Sequence, residues 1–345
     1  MLSGVSVDVQ IKYKICDNKI IKIWKREKEK EAKSLKMCGI LCSRLPWCRA
    51  ITACPAGTGG YNCQFHYGVY FAACQSFRSD LNCKIMIETT KNTEPISAEG
   101  CANGGIWNGT NCRCLDGFAS PKCERYIKDC EEGADLGYKN KPGQWDYVTT
   151  LTWSTGAPYP FETFCNYNDG KTIMFYRGFG VPINWNRTWQ EYKYVLTETN
   201  EAYWMGLENI HYLTNSGTHQ LQIYFTRFAD SNLFGQFFYK NFKVGAESTD
   251  YQLSYSSLEV VKEPYGLQDG EPDSNTLGPI NGSRPFCTWE KPGCSSALQN
   301  GGWWHDAFAT QYSLTKPMEP VTVHYHGEDV QVNSISFQVY DNSRS

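Results

Sequence analysis

Thirteen of the sixteen cysteines fall within residues 1–130, about one residue in ten, while the remaining 215 residues hold only Cys165, Cys287 and Cys294. Short, loop-rich stretches with that much cysteine cannot bury enough apolar surface to fold unaided, so covalent cross-links are the expected remedy. Zinc is the competing use of such residues. From Cys38 to Cys83 the intervening stretches are three, five, five, eight, ten and eight residues long. No Cys-x-x-Cys pair repeats there, so disulfides are expected instead. The chain therefore divides into a stapled first part and a larger second part that must stand on its own core.

The stapled part implies an oxidising compartment. Residues 1–37 nevertheless contain no apolar core followed by a small-residue cleavage site, so no secretory leader is visible. The chain is read as a fragment, as carrying a misplaced start, or as the mature part of a longer product. Asn108-Gly-Thr, Asn186-Arg-Thr and Asn281-Gly-Ser are glycosylation acceptors compatible with export. The 33 basic and 36 acidic side chains leave a net charge of −3, which offers no broad surface for nucleic acid. No run of about eighteen apolar residues occurs, so no membrane-spanning helix is expected.

Residues 25–36, KREKEKEAKSLK, have a helical composition with interleaved charges, and a solvated helix is expected there. It leads into Cys38 and Cys42, four apart and so on one helix face, above strands to which both can bond. A third cysteine, Cys48, precedes the strand-like Arg49-Ala-Ile-Thr52. This arrangement resembles a PAN/apple module. The resemblance implies Cys42 paired with Cys48, Cys38 with a later strand cysteine such as Cys63, and Cys16 with Cys83. Cys54 and Cys74 are then extra, and the sequence alone does not fix the pairing of these eight.

After a polar linker over 87–98 comes Cys101-Ala-Asn-Gly-Gly, then Cys112-Arg-Cys114, then Gly117-Phe118 before Cys123. These features resemble an EGF-like module that lacks the first and third of the usual six cysteines. Those two are partners, so their joint loss leaves no orphan, and the resemblance implies Cys101–Cys112 and Cys114–Cys123. The acidic residues ahead of the first cysteine in calcium-binding variants are not recognisable, so a structural spacer is expected.

From Cys130 onward the chain is rich in Tyr, Phe and Trp, and some strands are legible by alternation. Leu221, Ile223 and Phe225 alternate with Gln222, Tyr224 and Thr226, and Ile335, Phe337 and Val339 alternate with Ser336 and Gln338, so both stretches read as half-buried strands. Pro264 to Asn300 is dense in Gly, Pro, Asn and Ser and is expected to be irregular. Trp204-Met-Gly-Leu-Glu-Asn-Ile-His-Tyr-Leu-Thr214, Phe286 with Thr288, and Gly301-Gly-Trp-Trp304 carry a resemblance to a fibrinogen C-terminal-like domain. It extends over residues 128–345. The resulting expectation is a multidomain α+β chain. It comprises a charged segment over 1–37 to which Cys16 need not belong, a PAN/apple-like module over 38–86, an EGF-like β-hairpin module over 99–125, and a fibrinogen-like domain with a mixed sheet and long loops.

The resemblance also implies a calcium loop after Phe286-Cys-Thr288. Trp289-Glu290-Lys291-Pro-Gly stands there instead, with one carboxylate where calcium needs several, so only a weak calcium site is expected. It implies retention of Cys130–Cys165. Because Phe308 replaces the usual second cysteine of the other bridge, Cys287–Cys294 is expected in its place. A ligand pocket is implied at Ser295, Trp304 and His305, although His305 departs from the usual Tyr and puts acetyl-sugar specificity in question. For the tandem Trp303-Trp304, a core role outweighs stacking on a sugar.

Other chemistry is discounted. On a strand, His324, His326 and Glu328 would share a face, yet a surface hairpin accounts for them better than a metal. His211 is expected to be structural. No nucleophile elbow, zinc-protease or phosphate-loop motif occurs. The expectation is a secreted, non-enzymatic recognition protein without cofactor, binding glycans or extracellular proteins in an innate-immune, lectin-like manner and gaining avidity by oligomerisation. The alternative is a structural or adhesive extracellular protein with a vestigial ligand and calcium site.

Overall fold

The structure is a computed structural model. It describes residues 13–20, 29–43, 48–57, 59–67, 78–88, 101–103, 105–115, 117–119, 121–140, 147–158, 160–178, 184–194, 196–199, 202–228, 234–262, 266–269, 277, 284–294, 301–304, 313–316 and 321–341. The chain divides into two compact units, Met1–Tyr126 and Ile127–Ser345.

The first unit holds a five-stranded antiparallel sheet in the order β1-β5-β3-β4-β2. Its strands are β1 (Tyr13–Ile20), β2 (Glu29–Ala32), β3 (Cys48–Pro55), β4 (Tyr61–Tyr67) and β5 (Arg78–Glu88). Helix α1 (Leu35–Ser43) follows β2, and Ser34 Oγ accepts from Met37 N at 3.3 Å at its start. The helix expected over 25–36 is corrected here, because Glu29–Ala32 pair with Tyr61–Gln64 as an edge strand. Charged residues are tolerated on such an edge, where they face water and blunt further pairing. Residues 13–20 are likewise a strand against β5 and not part of a charged tail.

Cys38 and Cys42 are both fully buried on one face of α1, and Cys38 is bonded to Cys63 on β4. The bridge joins a small core of Ile51, Ala53, Phe65 and Met86. Cys83 is bonded to Cys54, which overturns the Cys16–Cys83 pairing. Cys16 lies opposite Ile85 on the neighbouring strand, whereas β3 and β5 run side by side from Ala50 to Ala53 and bring the Cys54 and Cys83 Cα atoms within 4.2 Å. Two short hairpins follow, β6 (Ile106–Trp107) with β7 (Cys112–Arg113) and β8 (Phe118–Ala119) with β9 (Arg125–Tyr126). They are held by Cys101–Cys112 and Cys114–Cys123 and by Phe118 stacked on Tyr126 at 4.8 Å. The linker over 87–98 lies outside the described residues except at its first two positions, which end β5.

In the second unit Asp129 caps α2 (Cys130–Asp135), accepting from Glu132 N, and Cys130 is bonded to Cys165. The strands β10 (Val148–Thr152), β11 (Phe161–Asn166) and β12 (Lys171–Gly178) follow. Next come α3 (Trp189–Lys193), β13 (Leu196–Thr199), β14 (Ala202–Trp204), α4 (Leu207–Asn215), β15 (His219–Arg227) and β16 (Phe234–Lys240). The pair β17 (Lys243–Val244) and β18 (Leu253–Ser254) brackets a 3-10 turn over Glu247–Thr249. The remaining strands are β19 (Ser257–Lys262), β20 (Gly266–Asp269), β21 (Phe286–Cys287), β22 (Trp303–Trp304), β23 (Thr322–Tyr325) and β24 (Glu328–Asp341).

The main sheet runs β10-β11-β12-β24-β15-β16-β19-β20, with β13, β14 and β23 paired off this path. Every one of its described pairs is antiparallel, which corrects the expected mixed sheet. Strand β24 enters between β12 and β15 antiparallel to both, so no parallel pair is created. Leu221, Ile223, Phe225, Ile335, Phe337 and Val339 join one apolar core with Phe175, Trp185, Trp204, Trp303 and Trp304.

Candidate functional site

Tandem tryptophans anchor this region. Strands β21 and β22 pair Phe286 with Trp304 and Cys287 with Trp303. Trp303 is 0% and Trp304 1% exposed, and the Trp304 ring packs against Phe286 at 5.2 Å and Trp204 at 5.9 Å. Its Nε1 donates to the Tyr251 carbonyl at 2.8 Å. Trp304 is therefore corrected from a pocket residue to a core residue, since a ring closed in on all sides meets no ligand. Ser295 and His305 lie outside the described residues, as do Phe308 and Asn281.

The two glycines before the tryptophans follow from this packing. Gly301 has φ +72°, and a Cβ there would stand 2.1 Å from the Thr315 carbonyl oxygen. A Cβ on Gly302 would stand 2.3 Å from the Tyr192 ring. That ring is fixed from both sides: the Tyr192 hydroxyl donates to the Trp185 carbonyl at 2.6 Å and accepts from Gly302 N at 3.1 Å. Burial pushes the Tyr192 phenol well above its ordinary value.

The loop after β21 folds back by two turns, Lys291 N to Thr288 O and Cys294 N to Lys291 O, both 3.1 Å, and Cys287 is bonded to Cys294. It is tied to α3, whose Thr188 and Glu191 form a capping box. Glu290 accepts from the Trp189 backbone N at 2.9 Å, near the positive end of that short helix. The Lys291 ammonium lies 4.6 Å from the Trp189 ring centroid and forms an ion pair with Asp250. Trp189 Nε1 in turn donates to Glu247 at 2.9 Å, and Glu247 binds Lys193 at 2.6 Å. The Lys193 and Trp189 bonds hold the Glu247 carboxyl below its ordinary value. On Lys193, burial works against the charge but Glu247 prevails and raises it.

Asp250 and Tyr251 both occupy the left-handed region, at φ 55° and 49°, an uncommon pair for side-chain-bearing residues. They are pinned by Phe286 N on the Asp250 carbonyl at 2.7 Å and by Tyr251 N on the Ala246 carbonyl at 3.1 Å. The Tyr251 hydroxyl donates to Glu208 at 2.5 Å, and burial followed by the Glu208 carboxylate raises the phenol. The carboxylates of this cluster are thus each engaged by the protein's own donors, and an ammonium sits among them. Among the described residues no group of three or more His, Cys, Asp or Glu is placed to hold a metal. What the cluster presents outward is the Trp289 indole, 42% exposed, beside the exposed Glu290. Trp189, Glu247 and Asp250 carried no sequence signal, because they meet the loop across separations that no local pattern records.

The histidines are accounted for locally. His324 lies opposite Asp329 in the β23–β24 hairpin, and Nδ1 meets that carboxylate at 2.9 Å. His326 is not on a strand face with His324, because His326-Gly327 is a two-residue turn with both φ positive. His211 Nδ1 bonds the Val244 carbonyl at 2.9 Å. Of the glycosylation acceptors, Asn108 and Asn186 are exposed.

Comparison with known proteins supplies the lineage. The family model described as "Fibrinogen beta and gamma chains, C-terminal globular domain" matches residues 126–314. Fibrinogen-like protein 1 of Bos taurus is 28% identical over 197 residues, covering 52% of this chain and 58% of that protein. Ryncolin-4 of Cerberus rynchops is 30% identical over 159 residues, covering 43% of this chain and 42% of that protein. The chain thus spans less than two thirds of each relative's length. The solved fibrinogen-like globe domain of human ANGPTL2 aligns with a TM-score of 0.49 at 20% identity, covering 63% of this chain and 99% of that one. Since the family match takes in more than half of the chain, this protein belongs to the family of the C-terminal globular domain of the fibrinogen beta and gamma chains.

Proposed function

We propose that the protein is a secreted, non-enzymatic recognition protein whose fibrinogen-like domain engages extracellular glycans or proteins through the surface formed by loop 288–294 and the start of α3. The observation that carries this reading is Trp289, a large indole left 42% exposed on a loop otherwise fixed by Cys287–Cys294 and by Lys291 on Trp189. Exposed aromatics on rigid loops bind with little ordering cost, because the geometry is set in advance. The described bridges support an oxidising, extracellular location.

The first unit serves in this reading as a presenting stem. The helix-borne Cys38 bonded to Cys63 supports a PAN/apple-like module over 38–86. The consecutive bridges Cys101–Cys112 and Cys114–Cys123 support an EGF-like spacer over 99–125. Oligomerisation through this stem would supply avidity for weak single sites.

Retention of the full chain on N-acetylated sugar resin and on microbial surfaces tests the glycan form, with Trp289→Ala as the control variant. Retention that drops with the variant supports the reading; equal retention of both, or none of either, refutes it. The second reading, an adhesive protein with a vestigial calcium site, rests on Lys291 paired with Asp250 where the family resemblance implies calcium. Added calcium should then leave the unfolding midpoint unchanged, and a clear rise would refute that version.

A further inference from the structure

The β6–β7 hairpin carries two apolar side chains that the protein leaves uncovered. Ile106 is 67% and Trp107 39% exposed, and among the described residues Trp107 has neither a ring contact nor an indole hydrogen bond. The next hairpin meets the same need internally, with Phe118 and Tyr126 both buried and stacked on each other. Directly after Trp107 comes the acceptor Asn108-Gly-Thr110, on a loop over 108–111 that is exposed throughout. The Asn108 side chain orders this loop. Its Oδ1 accepts from Thr110 N at 3.0 Å and from Asn111 N at 2.9 Å, and its Nδ2 donates to Asn111 Oδ1 at 2.6 Å. That leaves the second Nδ2 hydrogen and the Thr110 hydroxyl without a partner among the described residues.

A second acceptor supplies the contrast. Trp185 precedes Asn186 as Trp107 precedes Asn108, yet Trp185 is buried, with its ring 5.5 Å from that of Phe175. The protein closes over one of these two indoles and leaves the other open. An open indole is a large apolar surface in water, and a module with almost no core has nothing of its own to lay over it.

We propose that an N-linked glycan on Asn108 provides the missing cover, its first N-acetylglucosamine lying with its C–H face on the Trp107 indole. The anomeric carbon of that sugar is bonded to Asn108 Nδ2 itself, and consecutive Cα atoms are about 3.8 Å apart, so the sugar ring reaches the neighbouring indole. The donor is a lipid-diphosphate-linked oligosaccharide. The bond from its anomeric carbon to the diphosphate oxygen breaks and the bond to Nδ2 forms; the displaced amide proton passes to a base of the transferring enzyme, and the lipid diphosphate leaves with the bonding electron pair. The inference rests on the extracellular location in the reading above and is separate from the recognition surface at Trp289.

The test uses the full chain, secreted behind an added leader from eukaryotic cells that make only oligomannose glycans. Hydroxyl-radical oxidation of each tryptophan is read by peptide mass mapping. Asn108 should be occupied, and Trp107 should oxidise about threefold or more slowly than in Thr110→Ala, which lacks the acceptor, because the open face of the indole is covered. The Thr110 side chain makes none of the loop's hydrogen bonds, so this variant keeps the turn. An endoglycosidase that leaves only the first sugar should preserve the protection. Trp153 and Trp289, 38% and 42% exposed, are the references and should oxidise at the same rate in every form. An unoccupied Asn108 overturns the inference, as does a Trp107 that oxidises as fast with its sugar as in Thr110→Ala. Protection lost on trimming to one sugar overturns it too, since the outer sugars would then be shielding the hairpin in bulk. The added leader fixes the route of the tested chain, so none of these outcomes bears on the location itself, whose failure would show as retention of the natural chain inside the cells that make it.

Discussion

Replacing Gly301 by alanine probes how tightly the paired tryptophans are locked into the core. Two penalties combine at this position. A φ of +72° places an L-residue in the left-handed region, at about 1–2 kcal/mol. The new Cβ would also stand 2.1 Å from the Thr315 carbonyl oxygen and 2.9 Å from its carbon. These are backbone atoms that cannot rotate away, and such overpacking adds about 1–3 kcal/mol. The sum is about 2–5 kcal/mol, or a fall in unfolding temperature of roughly 4–20 °C for a domain of this size. Gly156→Ala is the internal control: its φ is +86° with nothing within 4 Å of the added Cβ, so it reports the backbone term alone, about 1–2 kcal/mol. Gly302→Ala, whose φ carries no penalty, should cost about 1–4 kcal/mol by forcing the fixed Tyr192 ring. Guanidinium unfolding followed by tryptophan fluorescence reads all three, since Trp185, Trp204, Trp303 and Trp304 are fully buried. If Gly301→Ala lies within about 0.5 kcal/mol of the Gly156→Ala control, the steric half of the reasoning is wrong.

Removing the Cys287–Cys294 bridge by a double serine substitution should cost about 2 kcal/mol, since the bridge spans a separation of only seven residues and closes little chain entropy; denaturant midpoints of the oxidised proteins measure it. Trp304→Phe should cost about 1–3 kcal/mol by stranding the Tyr251 carbonyl, yet leave any sugar-resin retention unchanged, and lost retention in a folded variant would contradict its core assignment. Burial lowers the His219 pKa, with Asp129 and then Asp341 opposing. The unfolded chain thus binds the proton more readily, and stability should fall as pH drops from about 6.5 through the folded value. His219→Gln should flatten that part of a melting-temperature profile from pH 8 to pH 5.

The alternation of apolar residues located β15 and β24 because their inward side chains fill one core. It misjudged the opposite faces. Gln222, Ser336 and Gln338 are also buried, at 5%, 2% and 7%. Gln338 donates to the Ser336 hydroxyl at 2.8 Å, and Gln222 donates to Gln236 at 2.7 Å. A polar residue on a central strand reads as solvent-facing unless its cross-strand partners are known. In the charged stretch at 25–36 composition favoured a helix, but pairing of Glu29–Ala32 with β4 prevailed over local preference. The Trp289 loop was legible as altered, whereas its latch was not: Lys291, Asp250, Trp189 and Glu247 are brought together only by the fold.

Strand β24 has a consequence for biosynthesis. Its partners β12 and β15 end at Gly178 and Arg227, yet the strand that separates them is completed only at Asp341. A ribosome adding about 5–20 residues per second needs roughly 8–30 s between finishing β12 and finishing its neighbour. From the completion of β15 at Arg227 onward, both flanking strands present open ladders ready to capture other chains. Closure must therefore come late, and the second unit depends on protection until its last strand is complete.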